Sequence, residues 1–366
     1  MSGPRTTSLH ERHTALGARL GDFAGWEMPL QYTSPRAEHM AVREASGVFD
    51  VSHMGQLEVE GPDSRALLSR ALTNDITALG PGQGQYTLML TDAGGVVDDL
   101  IAYALLDRHL LVVNASNVAA CLARLTDLAA GLQVRVTDRS AEVAMLALQG
   151  PRWRDVLAPL AATPAPLGLE YFEITEDAIG GVPALVARTG YTGEPGVELM
   201  VPWDLAPRLW DALMRGPAAP APCGLVARDT LRTEMGYPLY GQELTLGRTP
   251  VEAASLWACD MAGARCAGAE VLERQRREGT PERLVAFEMT EPGIPRPGLT
   301  VLAGDEPVGV VTSGTLSPVL ERGIGMAYVR SDLAAPGLDI RIDIRGRIRA
   351  ARTARRPLVA RDPRTD

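Results

Sequence analysis

GGVVDDLIAY, residues 94–103, sets two carboxylates side by side in a run otherwise suited to a buried strand. Val96, Val97, Leu100 and Ile101 favour a pleated, half-buried surface. Successive strand side chains face opposite ways, so Asp98 and Asp99 are expected in different environments. One shares its face with Val96, Leu100 and Ala102, the other with Val97, Ile101 and Tyr103. A carboxylate turned inward needs a partner or a function.

Working outward, YTLML (86–90) and HLLVVNA (109–115) flank the strand VVDDLIAYALL (96–106) and extend it into a meander through the turn TDAGG. PRAEHMAVREASG (35–47) reads as a helix with Pro35 in its first turn and Gly47 at its stop. GQLEVEG (55–61) alternates as a strand, PDSRALLSRALTND (62–75) and NVAACLARLTDLAAGL (117–132) read as helices, and QVRVTD returns to strand. Short strands alternating with amphipathic helices predict an α+β fold. RGPAAPAPCG (215–224) reads as a loop. From 283 the texture changes to RLVAFEM, GLTVLAG, PVGVVTSG, GIGMAYV and LDIRIDIRGRIRAA, which predicts a small all-β terminal barrel. The expected division is 1–278 and 283–366, with the boundary in RQRREGTPE.

Composition narrows the chemistry. The 366 residues are 46% hydrophobic and 22% charged, as in an ordinary globular chain. No apolar run reaches the roughly 20 residues of a membrane span. The polar start MSGPRTTSLHERH has no apolar signal core, so a cytoplasmic location is expected. Four scattered cysteines and five dispersed histidines suggest neither a disulfide framework nor a metal cage. All 36 basic residues are arginine. Without lysine there is no Schiff base and no GxxxxGK[ST] phosphate loop, which excludes pyridoxal-phosphate enzymes and P-loop nucleotidases. A net charge of −9 argues against a general nucleic-acid binder.

GPGQG (80–84) precedes a strand instead of opening a helix, so it is not a dinucleotide fingerprint. Ser52–His53 would point apart on a strand, and no G-x-S-x-G elbow accompanies them. RTGYTGEPGVEL (188–199) is denser: its glycines permit close backbone approach, Tyr191 flanks the turn, and Glu198 puts another carboxylate in an apolar strand. GLVARDTLRTEMGYPLYGQEL (224–244) adds Arg228 and Arg232 on one helix face, with Asp229 nearby. Each could be a solvated ion pair. Together they suit a polar pocket for a flat, donor-rich heterocycle, since a carboxylate accepts two N–H bonds in one plane.

These segments, in order, resemble the aminomethyltransferase (T-protein) family of the glycine cleavage system. DFAGWEMPLQY (22–32), EHMAVREASGVFDVSHMGQLEVEG (38–61), GGVVDDLI (94–101), VVNASN (112–117), LALQGP (146–151), RTGYTGEPGVEL, ARDTLRTEMGYPLYGQEL (227–244), TSGTLSPVL (312–320) and GIGMAYV (323–329) carry the resemblance over nearly the whole chain. It implies a three-domain architecture around a central channel for tetrahydrofolate, the last domain a small β-barrel. It also implies transfer of one carbon, from an aminomethyl group on the lipoyl arm of H-protein to tetrahydrofolate, with loss of ammonia. Asp99 would be catalytic, facing the folate near N5 and N10, with Asp98 its outward partner. Glu198 would take the pterin N–H edge and Arg228 would orient it or reach the ligand. Tyr86, Tyr103 and Tyr191 would line the pocket, Asn114 would hold cofactor or backbone, and Arg361 is a candidate for the folate glutamate.

No metal is implied, and the chain is read as a monomer. The family pattern breaks at TLGRTPVEAASLWACDMAGARCAG (245–268). That leaves three alternatives: the glycine-cleavage enzyme, a paralogue serving another one-carbon donor or acceptor, and a folate-binding protein without turnover. Asp99, Tyr86 and Glu198 argue against the third. Nine arginines in 341–366 read as solvated strand faces, or as a basic surface for an acidic carrier or polyglutamate tail.

Overall fold

Strand Val96–Ala104 lies second in a five-stranded antiparallel sheet, between Gln83–Leu90 and Arg108–Val113, with Gly55–Glu60 and Arg135–Asp138 completing it. The computed structural model describes residues 3–216, 218–263 and 266–365. Pro217 of the 215–224 loop and residues 264–265 of the 245–268 stretch fall outside the described residues, as do positions 1, 2 and 366. A six-stranded sheet runs Ile174–Ile179, Val182–Ala187, Gly196–Pro202, Val143–Gln149, Gly47–Asp50 and Ala221–Pro222. The loop expected at 215–224 thus contributes a two-residue edge strand, paired in parallel with Gly47–Asp50.

The two sheets are interleaved in sequence. Gly47–Asp50 belongs to one and Gly55–Glu60 to the other, so the chain crosses between sheets in the turn 51–54. Ser52 and His53 therefore occupy a turn, not a strand, and the Ser52 hydroxyl is held by the Met145 backbone (3.0 and 3.3 Å). Alternation explains the layers. Leu146 and Leu148 face one core and Met145 and Ala147 another, while Leu111 and Val113 oppose Leu110 and Val112 in the same way. The shared middle core also takes Phe49, Val51, Ala227 and Leu231, which seats helix Leu225–Met235 between the sheets. Helices Ser64–Ala71 and Val118–Leu128 cover the far face of the five-stranded sheet.

Two local expectations are corrected. Helix Pro35–Glu44 starts as expected, with Ser34 capping Ala37 N at 3.1 Å, but stops at Ala45. Gly47 opens a strand instead, and a Cβ there would meet Val42 and Cys223 at 2.5 and 2.7 Å. A β-bulge opposite Met89 and Leu90 also breaks the alternation at the start of the aspartate strand. Val97 consequently joins Leu100 and Ala102, while Val96 packs with Leu88 and Leu90, the reverse of simple alternation.

Strands Glu282–Met289, Gly323–Arg330, Glu306–Leu316, Thr300–Ala303, Asp339–Ile344 and Arg347–Ala354 close into a barrel filled by Phe287, Val301, Val311, Val329 and Ile342. The barrel seats on helix Leu225–Met235: Arg232 Nη2 donates to Ser313 Oγ at 2.7 Å, and Ser317 Oγ to Glu234 Oε1 at 2.5 Å. The tail then turns back, with Leu358 N bonded to Glu234 O at 2.8 Å. Of the nine C-terminal arginines, Arg341, Arg352, Arg361 and Arg364 pair with Asp305, Asp339, Glu194 and Asp362, while Arg356 binds the carbonyls of Gly236 and Ala254. Among the described residues no helix is long and apolar enough to cross a membrane.

Candidate active site

Asp98 and Asp99 sit on opposite faces of their strand, yet one residue ties them together. Asn114, just beyond strand Arg108–Val113, donates Nδ2–H to Asp98 Oδ1 (2.8 Å), Asp99 Oδ1 (2.9 Å) and Asp99 O (3.0 Å). Its backbone N donates to Asp98 Oδ2 at 2.9 Å, and Asn117 Nδ2 reaches Asp98 Oδ1 at 2.6 Å. Asp98 is not the outward partner: it has zero exposure, because the two asparagines that lead into helix Val118–Leu128 bring their amides down over it. Asp99 is half-buried and accepts the Tyr86 hydroxyl on Oδ2 at 2.9 Å.

Burial drives both carboxyl pKa values up, Asp98 to about 7 and Asp99 to about 6, and the negative charge of Asp99 adds to the shift at Asp98. The bonds from Tyr86 and the asparagines oppose this without cancelling it. If Asp99 works as an anion, activity should rise with pH through about 6. Tyr86→Phe removes the hydrogen bond that opposes burial and holds the Asp99 pKa down. The acid limb of kcat/KM is then expected to move up by about one pH unit. An unmoved limb would show that Asp99 is not the titrating group.

A second polar pair meets the first at Tyr191, on which the charges of both Asp99 and Arg228 act. Glu198 lies buried on strand Gly196–Pro202 and accepts the Thr189 hydroxyl at 2.6 Å. Arg228, from helix Leu225–Met235, lays its guanidinium 5.0 Å from the centroid of the Tyr191 ring. Burial pushes the Glu198 pKa up, and the charge of Arg228 pulls it back. Arg228 Nη1 is buried with no protein partner, so an acceptor for it must come from a ligand or from water. His53 lies near enough to feel Arg228; burial lowers its pKa to about 4 and keeps it neutral.

Tyr103 does not line a pocket. It has zero exposure and lies in the middle core, its hydroxyl 3.1 Å from Thr189 Oγ1, which makes it a brace behind Glu198. Tyr103→Phe loses one neutral hydrogen bond worth about 0.5–1.5 kcal/mol, so it should weaken ligand binding by no more than roughly tenfold by titration. A larger loss would return Tyr103 to direct contact.

The 188–199 loop is pinned from below by Gln149, which donates to Thr189 O (3.0 Å) and accepts Thr192 Oγ1 (2.8 Å). Gly193, at φ +82°, leaves room that Met235 fills. The Tyr191 hydroxyl donates to Pro238 O. Arg361 pairs with Glu194 at 3.2 Å, which ties the C-terminal tail to this loop. On the other side Trp257, 65% exposed, stacks on Tyr86 at 5.0 Å and 18°. The stretch AASLW, which departs from the family pattern, thus lays an indole over the phenol that holds Asp99.

Asn114, Tyr86 and Asp99 are brought together, as are Glu198, Arg228 and Tyr191. Thr189, Gln149, Asn117 and Trp257 were missed. The first three lay inside quoted motifs, but their roles depend on which backbone they meet. Among the described residues no group of His, Cys, Asp or Glu could hold a metal ion.

Residues 9–263 match the GCVT N-terminal domain, and residues 282–359 the glycine cleavage T-protein C-terminal barrel domain. The chain is 46% identical to an aminomethyltransferase of Frankia alni over 371 aligned positions, covering 100% of both chains. It is 44% identical to that of Mycobacterium tuberculosis, covering 96% of each. The crystal structure of glycine cleavage system aminomethyltransferase T from Bartonella henselae superposes with a TM-score of 0.91 at 33% identity, covering 98% of this chain and 99% of that one. The chain belongs to the glycine cleavage T-protein, or aminomethyltransferase, family.

Proposed function

We propose that this chain is a cytoplasmic, monomeric, tetrahydrofolate-dependent aminomethyltransferase. It takes the methylene carbon of the S-aminomethyl-dihydrolipoyl arm of H-protein, passes it to tetrahydrofolate and releases ammonia. In this reading residues 1–278 form the folate-binding region and 283–366 the barrel. The observation that carries the reading is Asp99, half-buried and held by Tyr86 and Asn114, beside a Tyr191 on which the charges of both Asp99 and Arg228 act. The residues fit a reduced pterin. Glu198 offers acceptors for a planar N–H edge, each bond worth about 1.5–3 kcal/mol when charge-assisted. Arg228 Nη1 is an unspent buried donor, and Tyr86, Tyr191 and Trp257 supply aromatic faces.

Tetrahydrofolate, when bound, supplies the N5 and N10 amines that receive the carbon. The protein positions and moves protons. Tyr86 and Asn114 hold the Asp99 carboxylate in one rotamer, and its anion accepts a proton from N5 or stabilises positive charge developing beside it. Arg361, on the returning tail, is assigned to the glutamate carboxylate of the folate, which would compete with Glu194 for it. The test is purified protein with aminomethylated H-protein and tetrahydrofolate, monitoring methylene-tetrahydrofolate. Formation of product supports the reading. Folate binding without product, with any dose of carrier, overturns it in favour of a different donor.

A further inference from the structure

Glu243 is a buried carboxylate that the proposed mechanism leaves unused. It has zero exposure. Its Oε2 accepts Arg232 Nη1 and Leu239 N, both at 3.0 Å, and its backbone carbonyl accepts the Tyr328 hydroxyl of the barrel at 2.7 Å. Oε1 has no protein partner. A buried carboxylate oxygen without a donor is costly, and such groups usually await a ligand or water.

Its position ties it to the candidate site. Tyr191 donates to Pro238 O, and Glu243 accepts Leu239 N. These two atoms belong to one peptide unit, so the Tyr191 hydroxyl and the Glu243 carboxylate grip opposite edges of a single plane. Leu244, the next residue, packs in one cluster with Leu88 and Tyr86. The charge of Glu243 also acts on Asp99 and on Tyr191.

The charge balance selects the class of ligand. Arg228 faces Glu198. Arg232 is divided between Asp229 (2.8 Å) and Glu243. Arg356, the other guanidinium near Glu243, spends its terminal nitrogens on the carbonyls of Gly236 (3.3 Å) and Ala254 (2.9 Å). Asp98 and Asp99 face no cation of their own: their donors are Asn114, Asn117, Tyr86 and Cys121. Glu243 Oε1 and the Asp99 carboxylate thus keep acceptor capacity that no protein cation takes up, which suits a cation rich in N–H donors.

We propose that Glu243 Oε1 and Asp99 together bind the primary ammonium group of the one-carbon donor, and the ammonium ion that leaves it. Three N–H donors on one compact cation suit two carboxylates approaching from different elements. The inference rests on the reading given above and deepens it: Asp99 serves both the folate and the amine, Glu243 the amine alone.

The experiment runs the reaction in reverse with ammonium as the varied substrate, and separately titrates the folate-free protein with methylammonium chloride against sodium chloride. In Glu243→Gln, whose amide oxygen can still accept Arg232 and Leu239 N, the KM for ammonium should rise roughly 10- to 100-fold. The dissociation constant of tetrahydrofolate should stay within about twofold, and the methylammonium-specific rise in Tm expected of the wild type should vanish. If that variant does not fold, Glu243→Asp, which draws the charge back by one methylene, should raise the ammonium KM in the same direction. An ammonium KM unchanged in the folded variant, with Tm lowered, would make Glu243 only the counter-ion of Arg232 and overturn the inference. Wild-type protein that binds methylammonium but not tetrahydrofolate would overturn the folate reading instead.

Discussion

Asp99→Asn is expected to fold, to bind tetrahydrofolate and to lose about 10²–10⁴-fold in kcat, the range of a positioned base. The shape of the site survives, because an amide oxygen still accepts one of the two donors, Tyr86 Oη or Asn114 Nδ2. What disappears is the anion. Stability should not suffer and should improve slightly near neutral pH. The wild-type carboxyl groups have folded pKa values raised to about 7 and about 6. The native state therefore binds more protons than the unfolded chain as pH rises from about 4 to 7, and it loses stability over that window. Replacing Asp99 by a neutral amide removes part of that loss. The checks are single-turnover kinetics with saturating carrier, a folate titration and a thermal melt at pH 5 and pH 8. Turnover near wild type, with folate still bound, would remove Asp99 from the chemistry.

The contrast between Asp98 and Asp99 shows what sequence could and could not say. That two neighbouring strand carboxylates part company follows from the period of two. Which one is buried does not, since that depends on helix Val118–Leu128 crossing over Asp98 with Asn117 at its head. The same holds for the valines before them. Their faces swap through a bulge that no residue type announces.

The barrel was legible because its strands are short, β-branched and divided by turns. The interleaving of the two sheets was not, since a four-residue turn at 51–54 looks the same within one sheet as between two. At the site, carboxylates and arginines in apolar settings stood out by chemistry: Asp99, Glu198 and Arg228. The family resemblance put Tyr103 in the pocket, but its hydroxyl finds Thr189 inside the core. Trp257 was hidden for the opposite reason. It lies in the stretch where the family pattern fails, and only the fold shows that its ring covers Tyr86.

The largest stability effect should come from a residue remote from the chemistry. Glu234, near the end of helix Leu225–Met235, is fully buried and takes Arg43 Nη2 at 2.7 Å, His39 Nε2 at 3.2 Å and Ser317 Oγ at 2.5 Å. Arg43 also bonds Glu194 at 2.9 Å, so one buried cluster joins helix Pro35–Glu44, the 188–199 loop and the barrel. Burial alone would raise the Glu234 pKa, but the bond and charge of His39, the charge of Arg43 and the Ser317 bond outweigh it and bring it down to about 2. Glu234→Ala leaves the Arg43 guanidinium buried beside a cavity, a change that costs about 3–5 kcal/mol. Tm should fall by about 5–10 °C. Because the folded pKa lies below the ordinary value of 4.5, the contribution of Glu234 is fully present above that pH and is lost as pH falls toward about 2. The gap in stability between wild type and variant should therefore be wide at pH 7 and narrow steadily below pH 4.5. A gap of the same size at pH 3 as at pH 7, by urea denaturation, would mean that lost packing and not lost charge explains the variant.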